Sequence, residues 1–237
     1  MQIPQTNKSP ALVLFFRRPK PGVGKQRLAI TIGQQQAYWV SKRMLDCALE
    51  DMARWDGPLV FAVANLDDVN WVKTTIIPKF SHHQTLVIAQ SNGNLGERLH
   101  AIDHALTDHG FTQRVYIGSD APVLHSHLYK TARNLLRQND TVLAKSADGG
   151  VTLMASKQNW PDMKALPWST KRLCDALAAS CREANLNSKI IDGLYDVDTL
   201  ADLRKARIDL EHDQRPARRA FCHQIDRLSV TQEMVTA

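Results

Sequence analysis

The chain lacks the features that most readily mark a special class of protein. Nowhere in its 237 residues does an apolar run approach the roughly 18 that a membrane-spanning helix needs. The longest early run, Ala11–Phe16, is stopped by Arg17 and Arg18 and is too short even for a signal-peptide core. Cysteine is scarce. Cys47, Cys174, Cys181 and Cys222 show no C-x-x-C spacing, and Cys174 and Cys181 lie seven apart in a helical pattern, which argues for reduced thiols in a cytoplasm over disulfides or zinc. There is no G-x-S-x-G elbow and no catalytic Cys/His signature. The pair His100 and His104 lacks a third ligand at zinc spacing, so hydrolase and zinc-enzyme classes rank low. Acidic residues are missing from the first 45 positions, which hold eight Lys or Arg (Lys8, Arg17, Arg18, Lys20, Lys25, Arg27, Lys42 and Arg43). Because the whole chain carries only +6, everything after position 45 sums to −2. The positive excess is therefore local, suited to a phosphate rather than a polyanion track, and no nucleic-acid recognition motif accompanies it.

What is present is a chain of ordinary composition, long enough for one large α/β domain or two small ones. Short runs rich in Val, Ile, Leu, Phe or Tyr predict strands at Ala11–Phe16, 59–64, Thr85–Ala89, 114–117, Thr141–Lys145 and 151–155. Between them, helical stripes fill 34–55, 95–106, 126–138, 170–183 and 199–210. This alternation predicts a three-layer α/β/α sandwich with a mainly parallel central sheet over residues 1–210. Residues 211–237 change character and read as a linker and a short basic helix at 217–228, a peripheral C-terminal appendage.

In open parallel sheets ligands bind beyond the carboxyl ends of strands, so the segments just after each strand carry the candidate chemistry. Arg17 to Arg27 is a basic, glycine-containing loop. It is either a phosphate cradle built on Lys25 and the arginines or a solvated basic loop, and it is not a Walker A loop, since Pro19 and Gln26 stand where Gly and Ser/Thr are required. Asp120 follows a strand in Gly118-Ser119-Asp120-Ala121-Pro122. It suits either a divalent cation bridging a diphosphate or the cap of a proline-started helix. Asp196 and Asp198 lie two apart, hence on one side of an extended chain, and one of them can complete a metal site unless Asp198 or Thr199 serves as a cap. Asp148-Gly149-Gly150 reads as a hairpin turn or as the floor of an acceptor site, with Asp148 orienting a hydroxyl or acting as a base. The segment Asn92-Gly93-Asn94-Leu95-Gly96 reads as a turn or a base- and ribose-reading loop.

Taken in order, six blocks resemble the signature of a bacterial family of GT-A-like transferases, whose members are known as arsenosugar-biosynthesis-type glycosyltransferases or radical-SAM/selenodomain-associated transferases. The blocks are Phe15-Phe16-Arg17-Arg18-Pro19-Lys20-Pro21-Gly22 with Lys25, Arg27 and Leu28; Gln90 with Asn94-Leu95-Gly96-Glu97-Arg98; Gly118-Ser119-Asp120-Ala121-Pro122; Asp148-Gly149-Gly150; Trp168-Ser169-Thr170; and Asp196-Val197-Asp198-Thr199 with Asp202-Leu203. The likeness spans about residues 11 to 210. It implies a nucleotide-diphospho-sugar transferase fold (GT-A, Rossmann-like), similar also to nucleotidyltransferases such as 2-phospho-lactate guanylyltransferase.

The same resemblance implies roles. Arg17, Gly22, Lys25, Arg27, Gln90, Asn94, Gly96 and Arg98 would bind the nucleotide. Asp120 and Asp198 would hold Mg²⁺ or Mn²⁺, and Asp148, Gly149, Gly150, Trp168, Ser169 and Thr170 would lie by the acceptor or sugar. Asp120, Asp148 and Lys25 would be the catalytic residues. The chain departs from the pattern at Asn94 (usually Asp), Ala121 (usually Cys) and Val151 (usually aromatic). The expectation is a cytoplasmic, metal-dependent transferase acting on a nucleotide-sugar donor and a small-molecule acceptor. The alternatives are a nucleotidyltransferase releasing pyrophosphate and a degenerate nucleotide-binding protein.

Overall fold

The computed structural model describes residues 9–236, with no account of side chains from 229 onward. Its elements run β1 (Ala11–Phe16), α1 (Gln26–Ile32), α2 (Gln34–Ala53) and β2 (Leu59–Val63), then short helical turns through residues 66–80 that include α3 (Val69–Trp71). They continue with β3 (Thr85–Ala89), α4 (Leu95–Asp108), β4 (Arg114–Gly118), α5 (Ser126–Leu135), β5 (Thr141–Lys145), β6 (Val151–Ser156), α6 (Leu173–Glu183), β7 (Ser188–Asp192), α7 (Leu200–Asp209) and α8 (Pro216–Thr236).

The seven strands form one sheet in the order β3-β2-β1-β4-β6-β5-β7, parallel except for β6, which runs antiparallel to both neighbours. The pleat explains why a continuous apolar run makes a central strand. In β1, Leu12, Leu14 and Phe16 enter the core on one face with α2, α5 and the 66–80 turns, while Ala11 and Val13 enter the other with α4 and α6. The three-layer, mainly parallel sandwich is thus present.

A third apolar cluster lies outside the sandwich. There the outer side of α2 (Val40, Met44, Cys47) packs with α1, α7 and the tail helix α8, which contributes Phe221, Ile225 and Leu228. The segment read as an appendage therefore shares buried surface with the body of the protein. None of the described helices is long and apolar enough to cross a membrane. Two features escaped the sequence. Strand β7 has a single neighbour, β5, and half-exposed polar residues, so no apolar run announces it. The turns at 66–80 mix several helical pitches and keep no steady period.

Candidate active site

Strand order reverses between β1 and β4: from β1 the chain builds outward through β2 and β3, then returns to place β4 on the other side. Such a switch leaves a crevice at the carboxyl ends of the two strands. After β1, Lys20-Pro21-Gly22-Val23 closes a turn in which the Val23 N–H donates to the Lys20 carbonyl (3.1 Å). Proline suits the second position of such a turn and Gly22, at φ +73°, supplies the left-handed third. Arg18 and Lys20 are drawn aside by the buried Asp68, at 3.5 and 2.8 Å, and Arg18 also lies 4.8 Å over the Trp71 ring. The basic run thereby divides. Arg17, Arg18, Lys25 and Arg27 line the crevice, but Arg18 is paired with Asp68, and Lys20, off the crevice, anchors the loop through the same carboxylate. Lys25 is left-handed without being glycine (φ +48°), a conformation that costs about 1–3 kcal/mol and concentrates at functional sites.

Opposite Lys25 stand three carboxylates. Asp120 follows β4 and is not a helix cap, because α5 starts at Ser126 with His125 as its cap rather than at Pro122. Asp196 and Asp198 flank the fully buried Val197, whose N–H donates to the Asp120 carbonyl (2.8 Å) and ties the two segments together. The cap of α7 is Thr199, in a reciprocal pair with Asp202, which leaves Asp198 facing the crevice. Oxygens of Asp120, Asp196 and Asp198 lie within 4.8 Å of one another. The Lys25 ammonium reaches Asp198 at 2.5 Å and Asp120 at 3.6 Å. Burial alone would lower the Lys25 pKa, but the Asp120 and Asp198 carboxylates outweigh it and hold it above the ordinary value. One ammonium does not neutralise three carboxylates. Burial, and then the charges of Asp120 and Asp198, push Asp196 up to about 6. A cluster of half-exposed oxygen donors with surplus negative charge fits a hard divalent cation such as Mg²⁺ or Mn²⁺ and offers nothing to a thiophilic metal.

These groups open onto a cleft of about 760 Å³, within the range of small-molecule sites. Its other lining includes Gln90 after β3, Arg98 on α4, Asp148 and Gly150 in the β5–β6 hairpin, and Trp168, Ser169 and Thr170. Trp168 is fixed by its indole N–H on the Met163 carbonyl (2.7 Å), and Gly96 lies so close beneath both groups that a side chain there would collide. The Asp148 carboxyl is held below its usual range by the Ser146 hydroxyl, with which it shares a short hydrogen bond, and by the Gly150 N–H (3.1 Å). It is therefore suited to accept a hydrogen bond from a substrate hydroxyl rather than to take its proton.

Four residues of the sequence-based set do not line the cleft. Gly22 makes the turn just described and Gly96 seats Trp168. Asn94 caps α4 in a reciprocal pair with Glu97, and Gly149, at φ +86°, lets the hairpin touch the Lys171 carbonyl. Asp196, which the sequence offered as an alternative to Asp198, joins the cluster beside it. Its signal was the two-residue alternation around Val197.

The sequence profile described as "Uncharacterized protein conserved in bacteria (DUF2064)" matches residues 48–170, just over half of the chain. The chain belongs to this DUF2064 family. The matched span includes Asp120, Asp148 and Trp168 and stops short of Lys25 and of the Asp196–Asp198 pair. Among solved structures this DUF2064 member is similar to a Desulfovibrio desulfuricans G20 protein described as a "putative nucleotide-diphospho-sugar transferase". The two are 24% identical over 93% of this chain and 96% of that one, with a TM-score of 0.77. It is similar also to 4-diphosphocytidyl-2C-methyl-D-erythritol synthase of Anaerococcus prevotii DSM 20548, at 15% identity over 86% and 99% of the two chains and a TM-score of 0.53. A third likeness is to a cytidylyltransferase of Leptospira borgpetersenii serovar Hardjo-bovis (strain JB197), at 10% identity over 92% and 94% and a TM-score of 0.51. These likenesses show the fold, that of the nucleotide-diphospho-sugar transferases. No curated protein matches the sequence.

Proposed function

We propose that this DUF2064 member is a divalent-metal-dependent transferase that takes a nucleotide-sugar donor and passes the sugar to a small-molecule acceptor. The observation that carries the reading is the carboxylate trio facing Lys25 at the strand-order reversal, at the mouth of a cleft wide enough for a nucleotide sugar. Asp120, Asp196 and Asp198 would hold Mg²⁺ or Mn²⁺, which when bound supplies charge neutralisation for a diphosphate leaving group. Lys25, Arg17 and Arg27 bind the donor phosphates, a role that needs fixed positive charge aimed at developing negative charge and little covalent chemistry. Gln90 and Arg98 face the nucleotide, with Asn94 and Gly96 shaping the start of α4 beneath them. Asp148 orients an acceptor or sugar hydroxyl, and Trp168, Ser169 and Thr170 wall the acceptor side. The six ordered sequence blocks support placing the chain with the arsenosugar-biosynthesis-type or radical-SAM/selenodomain-associated transferases. The four buried, unpaired cysteines support a reducing, cytoplasmic setting.

A second reading, nucleotidyl transfer from a nucleoside triphosphate, is favoured by the cations Arg17, Lys25 and Arg27 on one wall, which suit three phosphates at least as well as two. One assay separates the two. The protein is incubated with nucleotide sugars and nucleoside triphosphates, with Mg²⁺, Mn²⁺ or EDTA, and the leaving group is identified. Metal-dependent release of a nucleoside diphosphate is the expected result, and pyrophosphate release selects the second reading. Binding of donors without turnover across the panel overturns both in favour of a nucleotide-binding protein.

A further inference from the structure

Arg218, in the tail helix α8, is completely buried, yet all five donors of its guanidinium are in use. Nε donates to the Pro122 carbonyl (3.1 Å). Nη1 donates to the Cys47 carbonyl (2.5 Å) and to Glu50 (3.0 Å), and Nη2 to Asp51 (2.6 Å) and the Leu124 carbonyl (3.2 Å). Three residues earlier, Arg215 donates to the same Leu124 carbonyl (3.0 Å) and to Asp51 (2.9 Å). The carbonyls of Pro122 and Leu124 belong to the irregular segment between β4 and α5 that contains Asp120.

The segment is itself neither helix nor strand, although Ala121, Val123 and Leu124 are buried in the core. It is gripped from one side by the Val197 N–H on the Asp120 carbonyl and from the other by the two arginines. Docking of α8 does not itself require this grip, since Phe221, Ile225 and Leu228 already bury the helix against α2 and α7. A buried charge is costly to desolvate and weak ground for stability, and in some proteins such groups serve to fix a geometry.

We infer that Arg218, assisted by Arg215, is a positioning residue for the Asp120 loop, so that the tail helix sets the spacing of the three carboxylates toward a divalent cation. The inference rests on the metal reading above. Arg218→Lys keeps the charge but offers three donors from one point in place of a planar fork, so it cannot hold Glu50, Asp51 and both loop carbonyls together. Leu228→Ala disturbs the same helix about 15 Å further on, at 1.5 Å per residue, in the apolar cluster and away from the hydrogen bonds that Arg218 and Arg215 make to the loop.

The experiment is a Mn²⁺ titration of the full chain, followed by electron paramagnetic resonance of the free ion, with thermal unfolding of each variant in parallel. Arg218→Lys should weaken Mn²⁺ binding about 10- to 100-fold, as loss of a partner that orients a metal ligand does. Leu228→Ala should lower the unfolding midpoint at least as much and leave Mn²⁺ affinity unchanged. Should Arg218→Lys fail to fold, Arg215→Lys carries the test, with a loss at the low end of the same range. Wild-type affinity in the arginine variants, or an equal loss in Leu228→Ala, overturns the inference while the metal reading stands. A wild-type protein that binds no Mn²⁺ overturns the metal reading and the inference with it.

Discussion

Two charged clusters sit at opposite ends of β4, and they are built on opposite principles. At the amino end Arg114 is wholly buried, 3.3 Å from the equally buried Asp103, and donates to the Asp103 carbonyl, Thr107 and Asn159. Asp103 in turn accepts from the Tyr116 hydroxyl (2.6 Å) and the Trp160 N–H (2.9 Å). One cation meets one anion, and water is excluded. At the carboxyl end three carboxylates meet one ammonium, on half-exposed side chains that face a cleft. A matched, sealed pair locks a strand to its neighbours. A mismatched, open cluster keeps charge available to a ligand, so charge balance and access, more than the presence of charge, separate scaffold from site.

Breaking the sealed end should have the largest effect on stability. Arg114→Ala strands Asp103 without its ion partner in the core and should cost about 3–5 kcal/mol, read as a shift in the urea midpoint. Breaking the open end should do the reverse. Asp120→Ala relieves like-charge repulsion, so the urea midpoint should hold or rise while metal-dependent turnover falls by about 10²–10³-fold, the usual loss for one preorganised electrostatic group. If Asp120→Ala instead unfolds the protein, the two ends are not distinct in kind.

Smaller effects sharpen the contrast within the cleft walls. Gly149→Ala forces a methyl group onto the Lys171 carbonyl at a positive φ and should destabilise by roughly 1–3 kcal/mol. Because Gly149 does not line the cleft, the donor Kd measured by calorimetry should stay near wild type. Asn94→Ala removes the cap of α4 and should cost about 1 kcal/mol. Asn94→Asp, which can cap equally well, should leave the unfolding midpoint within experimental error.

The parts of the molecule that were legible in the sequence are those whose signal is local. Central strands such as β1 and β2 are apolar throughout because helices cover both faces, so their runs stand out unaided. Asp120, after a strand and before Pro122, and the alternation of Asp196 and Asp198 about Val197 likewise depend on near neighbours alone. What stayed hidden depends on contacts across the chain. The Lys25 ammonium, expected to serve phosphates, lies against carboxylates 95 and 173 positions away. Arg218 reads as one more charge in a basic tail until Cys47, Pro122 and Leu124 are seen around it. The segments of Asn94 and Gly149 were open to a turn or a ligand-contact reading, because turn and cap residues have the same local composition as binding loops, and the ligand role came from the resemblance alone.

On the reading above, the open cluster is a divalent-cation site serving a phosphate-bearing donor. The most direct test of that reading is isothermal titration of Mn²⁺ into the wild-type protein, Asp120→Ala and Asp196→Asn, each repeated with a nucleoside diphosphate present. The expected result is one ion per wild-type chain, tighter binding with the nucleotide, and loss of that ion in both variants. Equal Mn²⁺ binding by all three proteins, or none by the wild type, would contradict it.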